Sequence, residues 1–196
     1  HEVLGGIDQP SVIHAGAEHI RQLRAMDQSL AEKTHPLAGR ESLFVGQMHS
    51  GEIYNQAPTE LTLSGTRRWL PGTSFLDVER QFREILYETA HGEGVRIEGG
   101  VKLARDAFEI SPQDPLVTTF QAAHRHVTEA VLPLGAKPFV DDGNCFVERA
   151  GIPAITHGPN ALGAHTIEEV VPIAELLRVA RVYAVTAMAF CAGDDV

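Results

Sequence analysis

The sequence predicts an α/β chain in two parts. Residues 1–110 read as a split βαβ (ferredoxin-like) sandwich with its first strand missing or truncated, and residues 111–196 as part of a second α/β domain. Three observations carry this. The elements up to residue 103 run helix, strand, strand, helix, strand, whereas a complete split βαβ sandwich has one more strand before its first helix. The run Ser111-Pro112-Gln113-Asp114-Pro115 is a crossing, after which short strands alternate with helices. Finally, the 196 residues are 43% hydrophobic and 21% charged, an ordinary globular balance that excludes a disordered or collagenous chain.

The first helix is read from Ser11, a good N-cap, to about Glu32, with Ile13, Ala17, Ile20 and Leu23 at helical spacing. Lys33–Glu41, with His35-Pro36 and Gly39, breaks it. Leu43–Met48 reads as a short strand. Thr59–Leu70 reads as a longer one, because Leu61, Leu63 and Trp69 alternate with polar residues. Arg67 falls in phase with that apolar set, an odd place for a charge unless it is needed, unless Gly65 marks a bulge, or unless the side chain reaches back to water. Pro71–Ser74 turns into a second helix striped by Val78, Phe82, Ile85 and Leu86. A strand from Val95 through Ile97, Val101 and Leu103 follows, with a bulge expected at Gly99-Gly100.

In the second part we expect a helix over Leu116–Leu132, strands over Lys137–Val140 and Ile152–Thr156, a short helix over Asn144–Ala150 and a long final helix. Thr166 and Glu169 fit a capping box, which would start that helix and pin His165 just outside its amino terminus as a neutral ring able to bind metal. His124 and His126 would not share a helix face and read as solvated. His157 beside the Gly158-Pro159 loop is a lesser candidate.

Charge and cysteine narrow the function. Sixteen Lys and Arg against 26 Asp and Glu leave a formal net charge of −10, which argues against nucleic acid as partner. Two cysteines, Cys145 and Cys191, make no disulfide framework or zinc ribbon and read as buried thiols. The apolar stretch Val170–Ala192 carries Glu175, Arg178 and Arg181, so no membrane span is expected. Residues 1–20 show no secretory pattern, so a cytoplasmic protein is expected. The opening His1, in place of Met, reads as a processed or cut amino terminus.

The chemistry concentrates in residues 141–169. Asp141-Asp142-Gly143-Asn144 follows a predicted strand, where open α/β sheets place their sites, although the same residues also make plain turns. Together with Phe146, Gly151-Ile152-Pro153, Gly158-Pro159 and Ala164-His165, this run resembles the carboxyl-terminal signature of a zinc metallopeptidase family. Its members include acetylornithine deacetylase, succinyl-diaminopimelate desuccinylase, aminoacylase and the glutamate carboxypeptidases. His1, Gly5-Gly6 and Pro10–Ile13, then Gly51–Asn55, Pro58 and Gly65-Thr66-Arg67, resemble that family's dimerisation domain, a four-stranded, two-helix lid inserted into the catalytic domain.

The resemblance implies residues 1–110 as lid and 111–196 as the carboxyl-terminal part of the catalytic domain. It implies Asp142 and His165 as metal ligands, with Asp141 the second candidate for the acid. Asn55 and Arg67 would meet the substrate carboxylate, and His1 would reach across a homodimer to polarise the scissile carbonyl. The activity implied is hydrolysis of an amide in an N-acyl amino acid or small peptide, with two Zn2+ per site (Co2+ or Mn2+ as substitutes). The family's His-x-Asp pair, bridging Asp and Glu-Glu pair have no counterpart here, so this chain alone is expected to be inactive. The alternative is a non-catalytic dimerisation or small-molecule-binding module.

Overall fold

The computed structural model describes residues 10–164 and 166–192, so the expected site residues His1 and His165 lie outside the described residues. The chain divides into two compact units with the boundary between Ala107 and Phe108.

In the first unit, Ser11 caps α1 (Val12–Leu30) by accepting the His14 amide. Ala15, His19, Leu23 and Leu30 form its buried stripe. The breaker segment after α1 contains a small hairpin that its composition did not announce: β1 (Thr34–His35) pairs antiparallel with β2 (Gly39–Arg40). The main hairpin joins β3 (Ser42–Ser50) to β4 (Leu61–Arg68), with Gly46 the extra residue between Val45 and Gln47. The bulge thus lies in β3 and not at Gly65. Gly65 is constrained differently, since a Cβ there would stand 2.1 Å from the Phe44 carbonyl oxygen.

α1 packs on β3, β4 and α2 (Phe75–Glu93). Ser74 caps α2 at Asp77, and Gly94 ends it with a left-handed φ of 64°. The strand expected from Val95 does not form among the described residues. Val95, Ile97, Val101 and Leu103 are half-buried and alternate with exposed residues, and Gly99 lies against Leu86 and Phe82 of α2. The pattern is that of a strand, but a ladder also needs a neighbour to take its backbone groups, and none is paired here. What results is mixed α/β: two helices and small antiparallel sheets.

In the second unit, Asp114 and Pro115 open α3 (Pro115–Thr128), and Glu129, at φ 57°, closes it. α3 packs on α5 (Ile173–Cys191) through a core that includes Val117, Phe120, Ala123, Val179 and Val182. α4 (Asp142–Ala150) lies between them in sequence. Segments 137–140 and 152–156 form no ladder among the described residues, against expectation and for the same lack of a paired neighbour.

The final helix also starts later than expected. Thr166 donates to the Gly163 carbonyl at 2.7 Å and accepts the Glu168 amide, making a turn, and Leu162 bridges Val170. Pro172 then bars a helical conformation at Val171, so α5 begins at Ile173. Cys145 is half-buried and Cys191 exposed, which corrects the reading of both as buried thiols. No helix among the described residues is long and apolar enough to cross a membrane.

Candidate functional site

The amino terminus of α4 gathers most of the second unit's polar chemistry. Asp141 caps it, accepting the Gly143 amide at 2.9 Å while its own amide donates to Asn144 Oδ1 at 2.9 Å. The same carboxylate pairs with Lys137 and accepts the Thr156 hydroxyl at 2.7 Å. Burial pushes its pKa up, but Lys137, Thr156 and the Gly143 amide outweigh that and hold it below the usual carboxylate range. Asp141 is therefore fully engaged in fixing the turn. Asp142, one residue on, is exposed, and its carboxylate makes no hydrogen bond or ion pair among the described residues. Of the two acids, Asp142 is the one left free.

Both line a cavity of about 570 Å3 walled by Phe120, Phe146, His157 and Tyr183. The His157 ring meets Phe120 edge-on at 5.0 Å, Tyr183 at 5.8 Å and His124 at 5.9 Å, and its carbonyl accepts the Tyr183 hydroxyl. Burial, with Arg178 and His124 adding to it and Glu175 opposing, lowers its pKa, and its Nδ1 is buried without a partner. His124 is itself buried, with Nδ1 bonded to the Ala130 carbonyl and Thr128, which corrects its reading as solvated. His157, the lesser candidate of the sequence, lines this cavity, whereas its ring partners Phe120, His124 and Tyr183 were not read from the sequence. The one local signal for this ring cluster is that Phe120 and His124 stand a turn apart on α3. The Gly158–Gly163 loop is tied down where the Asn160 amide donates to Glu175, whose bonds to Arg178 and Asn160 bring its pKa to about 2.

In the first unit the two expected substrate residues do not meet. Asn55 is exposed in the connection 51–60, at the tip of the β3–β4 hairpin. Arg67 lies at the other end of β4, six residues past Leu61, or roughly 20 Å at the rise of an extended strand. Its side chain is 8% exposed and pairs with Glu41, at 1%. Glu41 also accepts the Thr73 hydroxyl at 2.5 Å. Burial raises the Glu41 pKa, yet Thr73 and Arg67 together carry it below the ordinary value.

The described residues contain no group of three or more His, Cys, Asp or Glu placed to hold a metal. Asp142 is one free oxygen donor where a catalytic zinc takes three protein ligands. The described residues thus do not close a metal site by themselves.

No family model matches the chain. A curated relative, the N-formyl-4-amino-5-aminomethyl-2-methylpyrimidine deformylase of Halalkalibacterium halodurans, is 27% identical over 147 residues, covering 68% of this chain and 33% of the relative. Among solved structures, the aminopeptidase PepT of Bacillus cereus aligns with a TM-score of 0.71 at 16% identity, over 92% of this chain and 46% of its own. YxeP of Bacillus subtilis, described as a dinuclear metal-binding peptidase of the M20 family, aligns at 0.65 and 16% identity, over 94% of this chain and 46% of its own. The M20 metallo-carboxypeptidase Sso-CP2 of Sulfolobus solfataricus aligns at 0.52 and 16% identity, over 88% and 44%. The chain therefore shares its fold with part of each of these structures. This chain spans less than half the length of the proteins it matches.

Proposed function

We propose that this chain is part of a metal-dependent hydrolase that cleaves the amide bond of an N-acyl amino acid, a small peptide or an N-formyl amine. In this reading residues 1–110 are a dimerisation lid and residues 111–196 the carboxyl-terminal part of the catalytic domain. The observation that carries it is the fold shared with metallopeptidases along nearly the whole chain, and the deformylase relative points to the same bond class. Asp142 and His165 would each hold one of two zinc ions, with the other ligands outside these residues. The free Asp142 carboxylate beside the fully engaged Asp141 supports that choice. Bound zinc supplies an activated water at neutral pH.

Asn55 would bind the substrate carboxylate. Arg67 could do so only if that carboxylate displaced Glu41. His1 would stabilise the oxyanion across a homodimer. A cytoplasmic location belongs to the same proposal.

Native mass spectrometry of the protein from its own source tests this by reading chain mass, metal and oligomer together. A dimer carrying two zinc ions per protomer is expected, with the protomer heavier than 21.3 kDa or joined by a second chain. Asp142→Ala and His165→Ala should each lower the zinc count. A 21.3 kDa protomer without zinc, inert toward N-formyl and N-acetyl amines, would overturn the reading and leave the non-catalytic dimerisation or small-molecule-binding module.

A further inference from the structure

The connection that carries Asn55 also presents a ring that the first unit leaves uncovered. At its base the Ser50 hydroxyl donates to the Glu60 carbonyl at 2.7 Å, and Gly51 leads the chain out of β3 with a left-handed φ of 72°. At its tip the Gln56 amide donates to the Ile53 carbonyl at 3.1 Å. That bond closes a β-turn whose two central residues are Tyr54 and Asn55. Tyr54 is fully exposed, and Ile53 and Asn55 are exposed beside it. One turn thus offers a flat ring and an amide to the same neighbour.

The hairpin places no free cation beside them. From Glu41 to Thr66 the sequence contains no Lys or Arg, and Glu52 and Glu60 in the connection are acidic. The arginines that bound this stretch are already paired, Arg40 with Asp27 and Arg67 with Glu41. Asn55 therefore meets a polar group through neutral amide donors, without the added strength of a charged one. Apolar contact is what remains to the tip, and Tyr54 is the largest side chain in the connection. A tyrosine ring gives a large, rigid contact with few torsions to fix, and ring pairs attract beyond the area they bury.

We propose that Tyr54 is a specificity-determining residue of the hydrolase, its ring packing on a ring of the substrate while Asn55 hydrogen-bonds the polar group next to it. This rests on the reading of Asn55 as a substrate residue, and it narrows the substrate to an N-acyl compound that carries a flat ring.

The test is steady-state kinetics of the whole metal-loaded protein on two matched pairs: N-acetylphenylalanine with N-acetylalanine, and N-formylbenzylamine with N-formylethylamine. The pair that is cleaved is then followed in Tyr54→Ala, Tyr54→Phe and Asn55→Ala. Tyr54→Ala should raise KM for the ring-bearing member about three- to tenfold more than for its ringless partner. The loss should fall on KM and not on kcat, as expected for a contact made equally in the ground and transition states. Tyr54→Phe keeps the ring and should restore the discrimination. The melting temperature should stay within a degree or two, because the side chain lies in water in the free protein.

Equal effects of Tyr54→Ala on both members of the pair, or none on either, overturn the inference. So does a Tyr54→Ala protein whose one change is a lower oligomeric mass, since the ring then belongs to a contact between subunits. If Asn55→Ala weakens binding in either case, the site reading stands and the role of Tyr54 alone falls. An Asn55→Ala protein with unaltered KM for every substrate overturns the reading of the tip as a substrate contact. Cleavage of neither pair overturns the hydrolase reading itself, and the role of Tyr54 with it.

Discussion

Arg67 stands on β4 where the alternation of Leu61, Leu63 and Trp69 calls for an apolar side chain, and it is held there by Glu41, 26 residues upstream. Taking two charges out of water costs several kcal/mol each unless geometry and further hydrogen bonds offset it. Here the Thr73 hydroxyl adds one such bond, although Arg67 Nε remains buried without a partner. Glu41→Ala would leave the guanidinium buried and unpaired, so it should destabilise the first unit by about 3–5 kcal/mol. Glu41→Gln, which keeps an oxygen for Thr73, should cost less. Because the folded state holds the Glu41 carboxyl below its ordinary value, its contribution is complete above pH 4.5 and fades as pH drops through the folded pKa. Urea midpoints read by Trp69 fluorescence at pH 7 and pH 4 check both statements. Equal midpoints for wild type and Glu41→Ala at pH 7 would sink the account. The misplaced charge of Arg67 was legible in the sequence. Its partner was not, because Glu41 sits in a breaker segment with no periodicity to assign it a face.

At the level of elements, helices were read best, because a 3.6-residue stripe and a cap are local properties. α1 and α2 start within a residue or two of their Ser11 and Ser74 caps. Thr166 misled for the same local reason: its hydroxyl does accept an amide, but Pro172 postpones the helix. Strands depend on what lies beside them. Val95–Leu103 alternates correctly and still forms no ladder among the described residues, and segments 137–140 and 152–156 behave alike. The β3–β4 hairpin succeeds because each strand brings the other's partner. Its register is pinned at one close approach, where Gly65 faces the Phe44 backbone. Gly65→Ala should therefore cost about 1–3 kcal/mol through overpacking against a carbonyl that cannot yield. Gly100→Ala is the control, since nothing lies within 4 Å of a Cβ there and its φ is not left-handed. Thermal melts by circular dichroism should separate the two. A Gly65→Ala protein as stable as Gly100→Ala would mean that the bulge at Gly46 absorbs the extra methyl group.

Across the whole molecule, the apolar composition of α5 and its packing in the chain make different demands. Apart from the side that carries Glu175, Arg178 and Arg181, α5 is apolar, and apolar helix surface is normally covered. α5 buries Val179, Val182 and Thr186 against α3, yet Ile173 is 75% exposed, Leu177 55% and Met188 73%. Phe139, Val140 and Ile152, at or beside the segments that lack strand neighbours, are exposed too. So many exposed large apolar side chains are what is expected where another polypeptide covers the surface, or else where it aggregates. The proposed function supplies the first explanation, since a catalytic domain needs a layer of paired strands that segments 137–140 and 152–156 have not found. A net charge of −10 opposes self-association at long range but does not hide the face. The chain by itself should therefore bind an apolar dye such as ANS at pH 7 while its circular dichroism remains that of a folded protein, and its light-scattering mass should rise with concentration. Ile173→Lys with Met188→Lys, both on the exposed side of α5, should reduce both signals and leave the melting temperature within a degree or two, since neither side chain is in the core. A wild-type chain that stays monomeric and dye-free would show that this face is covered within the chain itself, and the case for a missing layer would fall with it.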